Sequence, residues 1–216
     1  ELEVNEDVSR ELSDYFTFEV PGAKFMPQYR NRMWDGKIRL FSPRNGRIYV
    51  GLLPNIKEYS TKKSIEYIIE KGVEDERNVI RESCRDFATS LQPKSRGKPI
   101  QFRDYQIDAI WHAIQSNRCL LLSPTASGKS LIIYTLVRYY HLMKLKTLIL
   151  VPTTSLVEQM YSDFIDYGWE DKHMHRVYAG MDKGSTKPVV ISTWQSLYKL
   201  HRKYFEQYGC IIGDEA

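Results

Sequence analysis

The segment SPTASGKS at 123–130 combines small residues with a lysine and a hydroxyl group. A loop of small residues lets backbone N–H groups turn towards phosphates, which is how a P-loop binds them. In such a loop Lys129 would bind the β- and γ-phosphates of a nucleotide, and the Ser130 hydroxyl would bind Mg²⁺. The predicted nucleotide-binding residues of this loop are Thr125, Ala126, Ser127, Gly128, Lys129 and Ser130.

The P-loop pattern is short, so its context has to support it. Gly-Lys followed by Ser or Thr occurs by chance in roughly one chain in ten of this length, and Ser123 stands where the general pattern has glycine. An apolar run, CLLLSP at 119–124, precedes the loop, and a helical pattern over 129–143 follows it. This order of strand, loop and helix is the one that phosphate binding requires.

A second segment, CIIGDEA at 210–216, places two carboxylates directly after an apolar run. Asp214 would hold Mg²⁺ through its water shell, and Glu215 would act as the general base that polarises the attacking water. Taken alone, the pair could be a solvated acidic strand end. Together with the P-loop upstream, the segment predicts Lys129, Asp214 and Glu215 as catalytic residues and Ser130 and Asp214 as metal ligands.

The P-loop and the acidic segment have to be positioned by helices and strands. Residues 101–216 alternate apolar runs with helical patterns, which predict such elements. Helices are predicted over 102–117, 129–143 and 154–167. Strands are predicted over 119–124, 146–152, 176–180, 188–193 and 209–216. Strands that are apolar throughout and separated by helices indicate a mainly parallel sheet covered on both faces, which is an α/β fold.

The amino-terminal part has a different pattern, which predicts a small α+β domain of the order α-β-β-β-α. Its helices are predicted over 4–16, 60–73 and 75–91, and its strands over 15–22, 36–43 and 46–54. The segment QPKSRGKPI at 92–100 is rich in proline, glycine and basic residues, and is predicted to be a linker. We therefore predict two domains, 1–91 and 101–216.

Positive charge is concentrated in one stretch. The net charge is only +4 over 216 residues, but residues 24–47 hold seven basic side chains against the single carboxylate of Asp35. Such clustering is the footprint of a polyanion-binding surface. The seven are Lys24, Arg30, Arg32, Lys37, Arg39, Arg44 and Arg47. Tyr29, Trp34 and Phe41 lie among them and could stack on unpaired bases. The alternative is a solvated basic face, with Phe25, Trp34 and Phe41 in the core of a small domain.

Composition also bears on the compartment. The first residues are acidic and lack the apolar core of a signal peptide, and no apolar run approaches the roughly 20 residues of a membrane span. The three cysteines are far apart, form no CxxC pair and are predicted to be reduced. We therefore expect a soluble cytoplasmic protein with no membrane partner.

Five ordered segments resemble the motifs of superfamily 2 helicases. PTASGKS and DEA are similar to motifs I and II, and FRDYQ at 102–106 is similar to the Q motif. VPTTSLVEQ at 151–159 resembles motif Ia, and ISTWQSL at 191–197 resembles the segment that follows it. The resemblance implies a RecA-like P-loop domain that uses ATP and Mg²⁺ as cofactors.

The resemblance also implies roles for residues outside the P-loop. Gln106 would read the adenine base, and Arg103 lies in the same nucleotide-binding segment. The residues that would contact the nucleic-acid backbone are Pro152, Thr153, Thr193 and Gln195. Backbone contacts carry no base specificity. For Thr153, Thr154 and Thr193 helix capping is the alternative, because PTTS before a helix is a good N-cap in any protein.

The stretch 22–51 resembles the accessory domain of the UvsW-type phage helicases. This implies a DNA helicase of recombination and replication repair that acts on branched or partly single-stranded DNA, such as forks and Holliday junctions, in the host cytoplasm. Hydrolysis in that family needs arginines of a second RecA-like domain, and Ala216 falls within motif II. We therefore expect this chain to bind ATP weakly, to hydrolyse it poorly and not to unwind DNA.

Three other interpretations stay open from the sequence. The first is an RNA helicase, because the segments at 151–159 and 191–197 could bind the backbone of RNA as well as that of DNA. A different P-loop enzyme, such as a GTPase or a small-molecule kinase, is the second, although no guanine-reading Asn-Lys-x-Asp is present. The third is a nucleic-acid-binding module with a vestigial P-loop, which the presence of Lys129, Ser130, Asp214 and Glu215 argues against.

Overall fold

The computed structural model describes residues 1–70, 72–73, 77–124, 126–178 and 180–214. Contacts within the chain divide it into two compact units, Glu1–Glu74 and Asp75–Ala216. Two of the predicted site residues, Thr125 and Glu215, lie outside the described residues. None of the helices in the described part of the chain combines the length and the apolarity that a membrane span needs.

The first unit is built from short elements around a small core. Its helices are α1 (Glu6–Tyr15), α2 (Pro27–Arg30) and α3 (Leu53–Lys63). Its strands are β1 (Thr17–Glu19), β2 (Lys37–Arg39), β3 (Phe41–Ser42) and β4 (Arg47–Ile48). β1 pairs with β2 and β3 with β4, both antiparallel. The buried core residues are Leu12, Phe16, Phe41 and Tyr59.

One helix of this unit lies elsewhere than predicted. Helix α3 overlaps the predicted helix 60–73 only in its last turn, so the prediction is wrong over 64–70. Pro54 suits the first turn of α3, where its missing N–H costs no hydrogen bond. Ser64 ends the helix in the left-handed region at φ 56°. The helix that forms is the one that buries Tyr59 in the small core.

The second unit contains a parallel sheet. Its strands are β7 (Thr147–Val151), β8 (Met174–Val177), β9 (Val189–Thr193) and β10 (Cys210–Gly213). They lie in the order β10-β7-β9-β8, with every pairing parallel, which confirms the α/β prediction. Side chains alternate between the faces of a sheet, so Ile149 packs into one hydrophobic cluster and Leu148 into another.

Six α-helices, a 3₁₀ turn (Asp171–His173) and a hairpin complete the described part of the second unit. The longer helices are α4 (Arg81–Ser90), α5 (Asp104–Ser116), α6 (Lys129–Leu142) and α7 (Thr154–Asp166), and the short ones are α8 (Trp194–Leu197) and α9 (Arg202–Phe205). The hairpin consists of β5 (Lys94–Ser95) and β6 (Lys98–Pro99). The buried part of α4 packs against α5.

The segment 92–100 is the hairpin β5–β6 in the structure. Its turn residue Arg96 donates its backbone N–H to the Asp166 carboxylate at 2.9 and 3.0 Å, which attaches the hairpin to the end of α7. A cluster of proline, glycine and serine marks a turn as well as a linker, and here it closes two strands. The predicted division into 1–91 and 101–216 therefore differs from the observed one, which falls between residues 74 and 75.

The strand predicted over 119–124 is not formed in the structure. Leu120 and Leu122 are 79% and 89% exposed. A strand needs a hydrogen-bonded neighbour as well as an apolar sequence. In the described structure β10 pairs with β7, and the run at 119–124 joins no ladder.

Candidate functional site

The P-loop is attached to the first turn of α5. The side chain of Gln106 is buried and bonds at both ends: its Oε1 accepts the N–H of Arg103 at 3.0 Å, and its Nε2 donates to the carbonyl of Ser127 at 3.0 Å. The Tyr105 hydroxyl donates to the same carbonyl at 2.7 Å. Two hydrogen bonds to one carbonyl therefore fix the loop to α5.

These contacts differ from the role that the resemblance implied for Gln106. Both polar ends of its amide bond within the protein, so its position in this structure is that of a brace for the loop. Tyr105 was not predicted as a site residue, because nothing in FRDYQ distinguishes its hydroxyl from that of a surface tyrosine. The guanidinium of Arg103 donates to the Tyr105 hydroxyl at 3.2 Å, so Arg103, Tyr105 and Gln106 are linked by hydrogen bonds.

Gly128 has no room for a side chain. It precedes α6 in the left-handed region at φ 82°, where glycine carries no steric penalty. A Cβ atom at this position would lie 2.4 Å from Nε2 of Gln106. A side chain here would therefore displace the amide of Gln106 and remove one of the two hydrogen bonds to the Ser127 carbonyl, leaving the one from Tyr105. This close approach of loop and brace fits the tight backbone that cradles a phosphate.

Lys129 and Asp214 line the same cavity, which has a volume of about 410 Å³. Lys129 is the first residue of α6, and Asp214 directly follows β10, where its N–H donates to the Leu150 carbonyl at 2.9 Å and extends the parallel ladder. Ser123 also lines the cavity, and most other lining residues are apolar. A cavity of this size with a few convergent polar groups suits a small-molecule ligand. The cation of Lys129 suits a phosphate.

Ser130 does not join Asp214 in that cavity. Its side chain lies beside Asp163 of α7 and the adjacent Tyr167. Burial raises the pKa of the Asp163 carboxyl, and the neighbouring Ser130 side chain lowers it by a smaller amount. Burial, with the charges of Asp163 and Asp166, raises the pKa of Tyr167 to about 12. The two predicted metal ligands therefore do not line one cavity in this structure, and Asp214 is the carboxylate among the lining residues.

Further predicted residues follow the carboxyl ends of β7 and β9. Half-buried Pro152 and exposed Thr153 follow β7, and the Thr153 hydroxyl accepts a backbone N–H of the first turn of α7 at 3.3 Å. Thr193 is only 4% exposed, and its hydroxyl bonds to a neighbouring serine at 2.9 Å. Thr153 thus caps α7 while remaining exposed, Thr193 is buried, and Gln195 is exposed.

The seven basic residues of 24–47 fall into two groups. Three form ion pairs, namely Lys37 with Glu19, Arg39 with Asp35, and Arg47 with Glu1. The Arg39 guanidinium holds the pKa of the Asp35 carboxyl below its usual range. In the described range 1–70 no ion pair to a carboxylate engages the other four, which are Lys24, Arg30, Arg32 and Arg44. These four are the cations that could neutralise phosphates without breaking an ion pair.

The aromatic residues among them have different environments. Phe41 is 2% exposed and belongs to the core of the first unit, which agrees with the alternative that this residue is a core residue. Trp34 is half-buried and donates its Nε1–H to the carbonyl of Lys37 at 2.8 Å. Tyr29 is exposed and, with Lys24 and Arg30, lines an open depression of about 640 Å³.

Two family models match the chain, one in each part. The model described as "Type III restriction enzyme, res subunit" matches residues 99–216, and "DNA helicase UvsW, N-terminal" matches residues 1–70. The P-loop, the Gln106 segment and Asp214 lie within the first match. The four basic residues outside ion pairs lie within the second.

Two curated relatives are named as DNA enzymes. "ATP-dependent DNA helicase uvsW" of Enterobacteria phage T4 is 34% identical over 221 residues, which cover 100% of this chain and 44% of the relative. "DNA 3'-5' translocase XPB2" of Sulfurisphaera tokodaii is 29% identical over 151 residues, covering 70% of this chain and 31% of the relative. The chain thus spans less than half the length of these relatives.

Solved structures agree with the sequence comparisons. The crystal structure of the UvsW helicase from bacteriophage T4 superposes with a TM-score of 0.88 at 33% identity, covering 99% of this chain and 77% of that one. A second crystal structure of T4 UvsW gives a TM-score of 0.90 at 33% identity, covering 99% and 44%. These matches confirm the RecA-like fold and the small accessory unit before it. The chain belongs to the superfamily 2 helicases of the UvsW type, with a motor domain of the type III restriction enzyme res-subunit family.

Proposed function

We propose that the protein is an ATP-dependent DNA helicase that acts on branched DNA in recombination and replication repair. The observation that carries the proposal is the convergence of Lys129 and Asp214 on one cavity, beside a loop in which Gly128 has no room for a side chain. Both curated relatives are named as enzymes that act on DNA, which favours DNA over RNA.

The nucleotide half of the function follows from the loop. Lys129 would bind the terminal phosphates of ATP, and the backbone of Ala126–Gly128 would wrap around them. Because Tyr105 and Gln106 already hold the Ser127 carbonyl, the loop is preorganised and needs little rearrangement on binding. Mg²⁺ bound with ATP would neutralise developing phosphate charge, and Asp214 is the residue that would hold it.

Hydrolysis completes the proposed cycle. Glu215 follows the metal-holding carboxylate directly, and we assign it the role of polarising the attacking water. In the helicases that this chain resembles, arginines of a second motor domain stabilise the transition-state charge. We propose that turnover by this protein depends on such a domain as well.

The DNA half of the function rests on the two units separately. In the first, Lys24, Arg30, Arg32 and Arg44 supply cations for phosphates, and exposed Tyr29 lies beside two of them. In the second, exposed Gln195 lies at the carboxyl end of β9. A chain with two separate surfaces can hold two segments of DNA at once. This suits a branched substrate better than a uniform duplex.

Calorimetric titration of the chain with Mg²⁺ and nucleotide tests the first half. ADP should bind more tightly than GDP, and Lys129→Ala should lower the ADP affinity at least about tenfold, since it removes a charge-assisted contact to phosphate. Lys183→Ala, which removes an exposed lysine of the same unit, is the matched control. Equal affinity of wild type and Lys129→Ala would contradict the proposed nucleotide site.

Competition against a labelled fork tests the second half. Unlabelled fork DNA should displace the probe at lower concentration than linear duplex DNA of the same sequence, and duplex RNA should compete least. Equal competition by all three nucleic acids would contradict the proposed preference for branched DNA.

A further inference from the structure

Trp194 and Tyr198 form an exposed aromatic pair beside the sheet of the second unit. Trp194 is 54% exposed and Tyr198 is 60% exposed. Their ring centroids lie 5.7 Å apart with an interplanar angle of 64°. Residues four apart on a helical turn share one face, so the two rings present a continuous aromatic surface. The other three tryptophans are buried or half-buried.

The backbone beneath this pair is fixed. Helix α8 follows β9, which is buried along its whole length. Leu197 is 1% exposed and packs into the hydrophobic cluster of Leu148 and Val190. The N–H of Tyr198 donates to the Trp194 carbonyl at 2.9 Å. Because Leu197 faces the core, Trp194 and Tyr198 are held facing away from it.

The charged residues that follow the pair in the sequence, up to Glu206, are basic. The Lys199 ammonium lies 5.5 Å from the centroid of the Tyr198 ring, and Arg202 and Lys203 follow, both exposed. No acidic residue occurs between Thr193 and Glu206. Glu206 pairs with Arg202 at 3.5 Å.

Exposed aromatic faces beside cations match single-stranded nucleic acid, whose bases stack on rings while its phosphates meet positive charge. Gln195, an exposed residue among the backbone contacts proposed for this unit, lies on the same short helix. A protein partner would also cover exposed aromatic rings. The run of positive charge without carboxylates favours the polyanion.

We propose that Trp194 and Tyr198 form a stacking site for unpaired bases of single-stranded DNA. The site rests on the proposed function, because it receives the bases of a strand whose backbone passes Gln195. It adds base contact to a surface for which only backbone contact is expected, and it would hold an unpaired strand at a branch. Stacking is tolerant of sequence, since every base has an aromatic face.

The test uses the whole 216-residue chain with an oligothymidylate of roughly 12 nucleotides, within the site size of such proteins, and an abasic strand of equal length. The abasic strand carries the same phosphates without bases. The double variant Trp194→Ala, Tyr198→Ala should bind oligothymidylate about tenfold more weakly than wild type, and both proteins should bind the abasic strand equally. Tyr49→Ala removes an exposed aromatic ring from the other unit and serves as the matched control.

Tryptophan fluorescence supplies an independent readout. Oligothymidylate should quench wild-type emission, and Trp194→Phe should keep the affinity while losing most of the quenching. Equal binding of oligothymidylate by wild type and the double variant overturns the stacking site and leaves the proposed DNA binding intact. Equal weakening towards both strands also overturns it, since the rings would then contact the backbone. Failure of wild type to bind either strand overturns the stacking site and the proposed function together.

Discussion

The two units of this protein differ in how extensive their regular structure is and in how firmly it holds the candidate functional side chains. The second unit is built around a parallel sheet with buried strands. Hydrogen bonds such as those to the Ser127 carbonyl hold its P-loop in place. The first unit has strands of two or three residues and a core of Leu12, Phe16, Phe41 and Tyr59. Its candidate functional side chains are exposed cations.

This difference follows from the two kinds of chemistry. Phosphate transfer depends on groups held to within a fraction of an ångström, so its loops need a rigid sheet and a brace such as Gln106. Phosphate backbone binding by cations depends on charge density and tolerates flexible side chains. We therefore expect single changes to act sharply in the second unit and gradually in the first.

The largest effect is expected for Gly128→Ala. The new Cβ would meet Nε2 of Gln106 at 2.4 Å, so the brace has to move and the loop loses a hydrogen bond that preorganises it. Nucleotide affinity should fall by about tenfold or more in a calorimetric titration.

Gly168→Ala is the matched control for this change. Gly168 also has a positive φ, 100°, but a Cβ there meets no atom within 4 Å, so it reproduces the backbone strain without the clash. The double variant Gly128→Ala, Gln106→Ala removes the clash and should lose less affinity than the two single losses combined. Normal affinity in Gly128→Ala would show that the brace is not needed.

A smaller, graded effect is expected in the first unit. Arg30→Ala and Arg32→Ala should each weaken fork DNA binding about two- to fivefold and lower the slope of log affinity against log salt by about one. Arg39→Ala should cost less, because its guanidinium is paired with Asp35. Binding measured between low and moderate salt gives both quantities. An Arg39 effect larger than that of Arg30 would contradict the division of the basic residues into two groups.

The smallest effect is a difference in acid sensitivity. All five histidines lie in the second unit, and burial, His173 and Arg138 lower the pKa of His141. A histidine whose folded pKa lies below its unfolded value of about 6.5 stabilises the fold above that pH, and the contribution is lost as pH falls.

Acidification from about pH 7.5 to about pH 5.5 should therefore lower the free energy of unfolding of the second unit and leave the first unchanged. Urea unfolding at the two pH values, followed by peptide-resolved hydrogen exchange, separates the units. His141→Gln should reduce the pH dependence of the second. Equal acid sensitivity of both units would show that this histidine is not its source.

The sequence was informative where local chemistry determines structure. Small residues around Gly128, and a carboxylate after an apolar run at Asp214, predicted two segments that the structure brings to one cavity. Helices α5, α6 and α7 lie within two residues of their predicted bounds, because their apolar stripes and end signals agree.

What the sequence missed depends on partners distant in the chain. The run at 119–124 reads as a strand, but strand formation also requires a pairing neighbour, which no local pattern shows. Ser130 lies beside Asp163 because α6 packs on α7, and the hydrogen bond from Tyr105 to Ser127 forms because α5 meets the P-loop. Thr193 is predicted from the sequence to contact the nucleic-acid backbone or to cap a helix, and the structure buries it at the end of β9.

The central claim is that nucleotide is held in the second unit, while DNA is held by the cations of the first unit and the surface around Gln195. Hydrogen exchange of the 216-residue chain with and without each ligand tests it most directly. ADP with Mg²⁺ should protect the P-loop and the end of β10 and leave 24–47 unchanged. Fork DNA should protect 24–47 and the start of α8. Protection of 24–47 by nucleotide, or of the P-loop alone by DNA, would contradict the account.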